Sequence, residues 1–301
     1  MASVVSPVVV VIGANGLVGE QVCRALVERG AQVRGVVRRA GTAPEGVTEV
    51  VGAFTDPGFA AHAVAGADAV VTTVHPMGSD RAAQEQVGVR GTATLARAAA
   101  AAGVGRLVHV STAAVYDRSP QAGDVTESST LVGDDADDYA VTKRDTEAAL
   151  AAVDGVTRVL LRPPAIIGAG STSVWNTLRP RAFREDESNR HAVPDASWPW
   201  VHVRDLAAFA ADLATGAVAD RNDPEHGPVA GKCTPVSVVA GTDRQRDYYE
   251  TIARALGLEP IWDDHPAWHG QLRNDRARAW GWTPTVDLAA AQAELRSGLR
   301  G

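Results

Sequence analysis

Cysteine is scarce in this chain: Cys23 and Cys233 are its only two, far apart and without metal-ligand spacing, so neither a disulfide framework nor a metal site is expected. No uninterrupted apolar stretch is long enough for a membrane span. The opening MASVVSPVVVVIGANG also lacks the basic start and small-residue cleavage pattern of a signal peptide, so a cytoplasmic location is the expectation. A dense basic patch is missing too, and the formal net charge is -7; nucleic acid and anionic membrane are therefore not expected partners, and a small-molecule substrate is. Lysine is nearly absent. Lys143 and Lys232 are the only two, and the other basic residues are arginines. If Lys143 only solvated a helix face, arginine would have served. What is present, 301 residues with 45% hydrophobic content, can bury a core for a large α/β domain and a smaller appendage.

A β-branched run at 8–12 reads as a buried strand. It leads into Gly13-Ala14-Asn15-Gly16-Leu17-Val18-Gly19 and a helical pattern through Arg29, closed by Gly30. Further strands are expected at 33–37, 47–51, 67–74, 106–110 and 157–161, with a long alanine-rich helix at 81–102 and another carrying Tyr139 and Lys143 to about 153. Pro163-Pro164 ends the series. This alternation predicts a Rossmann-type, doubly wound parallel sheet with helices on both faces. Beyond Pro164 the periodicity weakens and all seven tryptophans appear, at 175, 198, 200, 262, 268, 280 and 282. The expected division is a dinucleotide-binding domain at 1–164 and a smaller C-terminal substrate-binding lobe at 165–199 and 231–301. Residues 200–230 are expected to return to the first domain, through a strand at 201–203 and a helix opened by Asp205.

Glycines 13, 16 and 19 after a strand permit a tight turn, close approach of backbone to a pyrophosphate, and packing of the following helix on the sheet; the helix N-terminus faces the anion. Asn15, Leu17 and Val18 belong to the same loop. The second strand ends in Val37-Arg38-Arg39, where an NAD-selective site carries an acid against the ribose. Arg38 attracts a 2′-phosphate instead, so NADP(H) is expected in preference to NAD(H). The alternative is a solvated arginine pair opening a loop. Thr73, Val74 and His75 end the fourth strand, at the carboxyl edge where such ligands lie.

Tyr139 and Lys143 fall one helical turn apart on one face. A cation there favours phenolate, lowers the tyrosine pKa from its ordinary value near 10, and makes the phenol a usable proton donor and acceptor. The alternative is a surface i,i+4 pair.

Together these features resemble the extended branch of the short-chain dehydrogenase/reductase superfamily, the NAD(P)-dependent epimerases, dehydratases and reductases, over nearly the whole chain. The glycine signature is matched by Gly13, Gly16 and Gly19, and Thr112 stands four residues before Tyr116 in STAAVY. LRPPAIIG, WVHVRDLA and NDRARAWGWTPT resemble further segments of the branch. The resemblance implies that Thr112 donates a hydrogen bond to the substrate oxygen, Tyr139 transfers the proton, and Lys143 holds ribose hydroxyls while lowering the Tyr139 pKa. It extends the cofactor-binding set to Ala53, Phe54, Val110, Ser111, Pro163 and Ala165, and the substrate set to His75, Met77, Ala113, Trp175 and Trp198. It also implies pairing into a homodimer through helices near Tyr139. On the residues alone, Thr112 or Ser111 could merely satisfy backbone at a strand end, and Tyr116 is a competing phenol.

The chain departs from the branch in three places. Members acting on sugar nucleotides place Asn where this chain has Ala165, and Arg where it has Trp198. Losing both leaves a pyrophosphate poorly matched, so a less charged substrate is expected. Gly88, in QVGVRGT, takes the place of an Asn that helps supply protons in the superfamily. The leading expectation is an NADPH-dependent ketone or aldehyde reductase of a small, largely uncharged, aromatic or polyketide-like metabolite. A sugar-nucleotide epimerase or dehydratase, and an NADP-binding redox sensor without turnover, are the alternatives.

Overall fold

Short β-branched runs buried on both faces pair most stably as a parallel sheet covered by helices, and that pairing organises this chain. The computed structural model describes residues 6–76 and 78–300. In chain order the elements begin β1 (Val8–Ile12), α1 (Leu17–Glu28), β2 (Gln32–Val37), β3 (Thr48–Val51), α2 (Pro57–Val64) and β4 (Ala69–Thr72). Next comes α3 (Arg81–Gln84), continued by a π-helical stretch (Glu85–Gly91) into α4 (Thr92–Ala101). Then follow β5 (Arg106–Val110), α5 (Asp138–Ala151), β6 (Thr157–Arg162), β7 (Ala165–Ile167), α6 (Arg179–Glu185), β8 (His191–Ala192), β9 (Ser197–His202) and α7 (Val203–Ala214). The last are β10 (Cys233–Ser237), β11 (Gly241–Arg244), α8 (Gln245–Leu256), β12 (Ile261–Trp262), α9 (Asp275–Ala279) and α10 (Leu288–Arg300).

Seven strands form the central sheet in the order β10-β6-β5-β4-β1-β2-β3, all parallel. The order reverses between β1 and β4, where a crevice opens at the carboxyl edge beyond Ile12 and Thr72. Along β1 the side chains alternate: Val9 and Val11 face the layer of α1 and α7, while Val10 and Ile12 face that of α2 and α4.

Two expectations are corrected here. The strand at 201–203 does not rejoin the central sheet: β9 lies in a separate three-stranded sheet between β7 and β11. The seventh central strand is instead β10, from the stretch 231–301 assigned to the lobe. Pro235 in β10 removes a ladder donor, which an edge strand tolerates, and β10 pairs only with β6. The helix α7 does return, packing on α1. Asp205 does not open it, because the His202 ring caps α7 by accepting from the Arg204 N–H.

Asp205 is buried in the first turn of α7 and ties down the C-terminal segment. Its carboxylate accepts from Thr285 N, Thr285 Oγ1 and Val286 N at 3.1, 2.5 and 3.1 Å. The indole N–H of Trp282 donates to its carbonyl. Among the tryptophans, Trp280 and Trp282 pack with Phe209 of α7 against the first domain. Trp198 and Trp200 fill the core of the second lobe with Tyr248 and Tyr249. Replacing Asp205 with Ala strands three donors and is expected to cost roughly 2–4 kcal/mol. Denaturant unfolding measures the loss, and limited proteolysis should then cut the C-terminal segment first.

Candidate active site

At the head of β1, Gly13 takes a φ of 83°, and a Cβ there would meet Val74 Cγ2 at 2.7 Å and Thr73 Oγ1 at 2.8 Å. A Cβ on Gly19 would come within 2.0 Å of the Gly13 carbonyl oxygen. Only glycine fits either position. Thr73 Oγ1 donates to the Ile12 carbonyl at 3.0 Å, holding the loop against β4. The Gly16 N–H closes the turn on the Gly13 carbonyl at 3.0 Å, and α1 starts behind it with no side-chain cap, which leaves the Leu17, Val18 and Gly19 amides free to bind an anion. Asn15 reaches sideways to Thr42 Oγ1 at 3.1 Å. Arg38 and Arg39 are exposed where β2 ends, and Glu49 of β3 fixes the loop beyond by accepting from the amides of Gly41, Thr42 and Ala43. These bonds hold the Glu49 carboxyl below its usual pKa. The cradle therefore fits a dinucleotide, with a pyrophosphate at the α1 start and basic side chains at the ribose end. Ala53 is exposed beyond β3, whereas the Phe54 ring is buried in the core with Val36 and Leu95.

Across the crevice, Asp137 caps α5 by accepting from the Ala140 N–H at 3.0 Å, which aims Tyr139 and Lys143 at the end of β5. Lys143 is only 3% exposed and donates from Nζ to the Val110 carbonyl at 2.8 Å. Burial pulls its pKa down to about 8, partly opposed by Glu147. Glu147, a turn further along α5, accepts from Ser111 Oγ at 2.6 Å and from Arg162 Nη2 at 2.6 Å and Nε at 3.0 Å. Ser111 is thus spent on Glu147, with its amide on the Leu161 carbonyl.

The phenol corrects the expected electrostatics. Burial raises the Tyr139 pKa, the Thr112 hydroxyl opposes this, and Asp137 adds to it; Lys143, turned to Val110, does not lower it. Tyr139 is therefore held protonated at neutral pH. Tyr116 is no competitor: its hydroxyl is paired with Ser237 Oγ at 2.8 Å, and Arg162 lies 4.8 Å over its ring.

His75 meets the Tyr139 ring edge-on, centroids 5.0 Å apart. Gln84 donates through Nε2 to the Ser79 carbonyl at 2.9 Å, which fixes its amide orientation. Its Oε1 accepts from Thr142 at 3.0 Å and faces His75 Nε2 at 2.9 Å. His75 must then carry its proton on Nε2 and leave Nδ1 with a lone pair. Burial first, and Lys143 second, lower its pKa to about 4, so the ring is neutral. Gly88 makes room for it: a Cβ there would stand 3.2 Å from His75 Nδ1. The π-helical stretch that carries Gly88 widens the helix at this point, as such bulges often do at functional sites.

On the substrate side, Trp175 is half-buried, with Arg179 4.7 Å over its ring. Trp198 is 6% exposed and stacked on Tyr248 at 4.9 Å, and lines a small cavity with Ile167, Tyr248 and Leu295. The Ala113 side chain is likewise fully buried, and its N–H donates to the Pro163 carbonyl at 2.8 Å, tying the Thr112 turn to β6. Ala165 opens β7 as a buried residue. Met77 lies outside the described residues. Sequence reasoning missed Gln84, Asp137, Glu147 and Arg162. The spacing Lys143 to Glu147 was a readable signal, since four residues on a helix is one turn.

A glycine-cradled helix start faces Tyr139 and the buried Lys143 across the switch point of a parallel sheet, an arrangement that can hold a dinucleotide beside a proton-transfer group. The chain belongs to the NAD dependent epimerase/dehydratase family, whose model matches residues 9–225. Over 184 residues it is 36% identical to a 2-alkyl-3-oxoalkanoate reductase of Stenotrophomonas maltophilia (strain K279a), covering 58% of this chain and 55% of that protein. Over 194 residues it is 30% identical to a 4-hydroxy-2-methyl-3-oxo-4-farnesyl-3,4-dihydroquinoline-1-oxide ketoreductase of Stigmatella aurantiaca, covering 60% and 58%. The matches thus span a little over half the length of these relatives. In fold, it is similar to the Bordetella bronchiseptica enzyme WbmG in complex with NAD, with a TM-score of 0.73, 18% identity and coverage of 99% and 96%. It is also similar to an Agrobacterium tumefaciens short-chain dehydrogenase/reductase superfamily protein with bound NAD, with a TM-score of 0.77, 24% identity and coverage of 97% of each chain. No helix among the described residues is long and apolar enough to cross a membrane.

Two substitutions test the site. Carrying an ammonium in this buried position opposes folding below pH 8, by on the order of 3 kcal/mol for a shift from 10.5 to about 8. Lys143→Met should therefore raise the melting temperature at pH 7 while abolishing turnover. The wild type, unlike the variant, should gain stability as pH rises from about 8 towards the unfolded lysine value. Gly88→Ala should displace the His75 ring and lower kcat several-fold with nucleotide affinity unchanged, as steady-state kinetics and nucleotide titration would record.

Proposed function

We propose that the protein is an NADP(H)-dependent ketoreductase acting on a small metabolite. The observation that carries this reading is the placing of the Tyr139 phenol beside Thr112 and one helical turn before the buried Lys143 ammonium, across the switch point from the glycine loop. A site that must deliver a proton to a carbonyl oxygen needs that state. A dihydronicotinamide nucleotide bound against the glycine loop supplies hydride. Thr112 donates a hydrogen bond to the carbonyl oxygen, Tyr139 gives it a proton, and the Lys143 ammonium holds the ribose hydroxyls of the nucleotide. The Val110 carbonyl and the Glu147 carboxylate keep that ammonium in place.

The curated relatives support reduction, since both are reductases of oxo compounds by name. The sugar-nucleotide reading lacks its polar grip: Ala165 and the buried Trp198 stand where a diphosphate would need Asn and Arg. Preference for NADP(H) rests on Arg38 and Arg39, exposed at the end of β2 with no acid beside them on that strand end. The solved NAD complexes have the same fold and do not bear on this preference.

A panel of ketones, aldehydes and sugar nucleotides, followed by the absorbance of NADPH and NADH, tests the reading. Net oxidation of NADPH by a ketone is the expected result; recycling of bound nucleotide with a UDP- or dTDP-sugar is the opposing one. The double change Arg38→Ala and Arg39→Ala should raise the KM for NADPH about tenfold and leave that for NADH unchanged. Reduction needs the Tyr139 proton and the Lys143 charge together. Its kcat/KM should be level below pH 8 and fall as pH rises through about 8, where Lys143 loses its proton.

A further inference from the structure

Arg118 stands two residues past Tyr116, at the end of the turn that Thr112 opens. Its guanidinium lies 5.7 Å over the ring of Trp268 and is half-buried. Other half-buried or buried arginines have protein acceptors: Arg106 has Asp220, Arg144 has Asp134 and Asp145, Arg162 has Glu147, and Arg158, Arg34 and Arg179 donate to the Gly231 carbonyl, the Ala65 carbonyl and the Tyr249 hydroxyl. Among the described residues, Arg118 has no carboxylate within ion-pair distance and makes no hydrogen bond to protein. A guanidinium presents five donors in a fixed fork, and removing it from water without an acceptor is costly. That cost shows as a pKa pulled below the ordinary arginine value by burial, with Asp137 only partly opposing.

The placement ties Arg118 to the reacting groups. Arg118 follows the turn from Thr112 to Tyr116, and the indole it covers packs with Ala113 and Val115 of that turn, which sets the guanidinium on the Thr112 side of the site. Asp137 itself is committed to capping α5. Trp268 is held rigidly beneath the guanidinium: its indole N–H donates to the Gly123 carbonyl at 2.9 Å, and its ring packs with Ala113, Val115 and Tyr116. A flat cation on a fixed aromatic plate, beside the turn that positions Thr112, is a receptor for a planar anion.

We propose that Arg118, backed by Trp268, binds a substrate carboxylate, and that the compound reduced is an oxo acid whose carboxylate stands a few bonds from its ketone. This rests on the ketoreductase reading. A carboxylate matches the guanidinium fork with two parallel hydrogen bonds, while the nearby Asp137 charge disfavours a dianionic phosphate. The substrate therefore carries one negative charge, against the expectation of a largely uncharged one. In the reaction the ketone carbon takes the hydride, its oxygen takes the Tyr139 proton, and the carboxylate leaves unchanged in a hydroxy acid.

The test compares 3-oxooctanoate with its methyl ester as substrates, and octanoate with methyl octanoate as unreactive ligands in calorimetry with NADP present. The full-length wild type, Arg118→Gln and Arg118→Lys are used. The wild type should prefer the oxo acid over its ester by ~10- to 100-fold in kcat/KM. Arg118→Gln should raise the KM for the acid by a similar factor, leave the ester within about threefold, and lose octanoate binding; Arg118→Lys should recover part of both. Equal use of acid and ester by the wild type, or a parallel loss of both in Arg118→Gln, overturns the proposal and leaves the ketoreductase reading standing. Octanoate binding that depends on Arg118, with neither ketone reduced, supports the carboxylate site and removes the ketoreductase reading instead. The wild-type preference requires no variant, so a poorly folded Arg118→Gln does not remove the test.

Discussion

The site depends on one buried ammonium. Lys143 gives up water to sit on the Val110 carbonyl at the end of β5, and everything around it either tolerates that charge or exploits it. Glu147 opposes the desolvation from one turn away, and is itself held by Ser111 and by Arg162 of β6. Arg162 in turn lies over Tyr116, whose hydroxyl reaches Ser237 of β10. A charge chain thus runs from α5 through two central strands to the sheet edge. Buried pairs of this kind are costly to break because the remaining partner is stranded. The fold carries that cost at the end of β5, beside the switch point of the sheet.

The neutral groups beside it complete the arrangement. The Ser79 carbonyl orients Gln84, Gln84 fixes the proton of His75, and Lys143 helps keep the ring uncharged. Gly88 gives this ring its room: a Cβ there would stand 3.2 Å from His75 Nδ1 and press the imidazole aside. Two phenols lie near the turn after β5, and the structure separates them by their partners. Tyr116 is tied into the core, whereas Tyr139 keeps its hydroxyl for the crevice beside Thr112.

What could be read from the sequence was what is local. The strand-glycine-helix unit, the alternation that builds the parallel sheet and the Tyr139-Lys143 spacing depend on near neighbours, and patterns of period 2 and 3.6 carry them. Four features depended on distant parts of the chain. β10 was hidden because Pro235 and the irregular segment before it do not look like a central strand, although an edge position accepts them. The direction of the Tyr139 shift was misjudged because i,i+4 spacing places the ammonium near the phenol only if nothing else attracts it, and the Val110 carbonyl does. The place of Trp198, stacked on Tyr248 beside a small cavity, is set by packing between distant segments and not by a local pattern. The roles of Gln84 and Gly88 required the loop after β4 to fold over the helix that carries them.

The most direct test of the central claim is single-turnover hydride transfer from bound NADPH to a ketone in the wild type and in Tyr139→Phe, with nucleotide affinity measured in parallel. If the buried phenol is the proton donor, the variant binds NADPH as the wild type does and transfers hydride about 10²- to 10⁴-fold more slowly. An undiminished transfer rate in Tyr139→Phe would contradict the account.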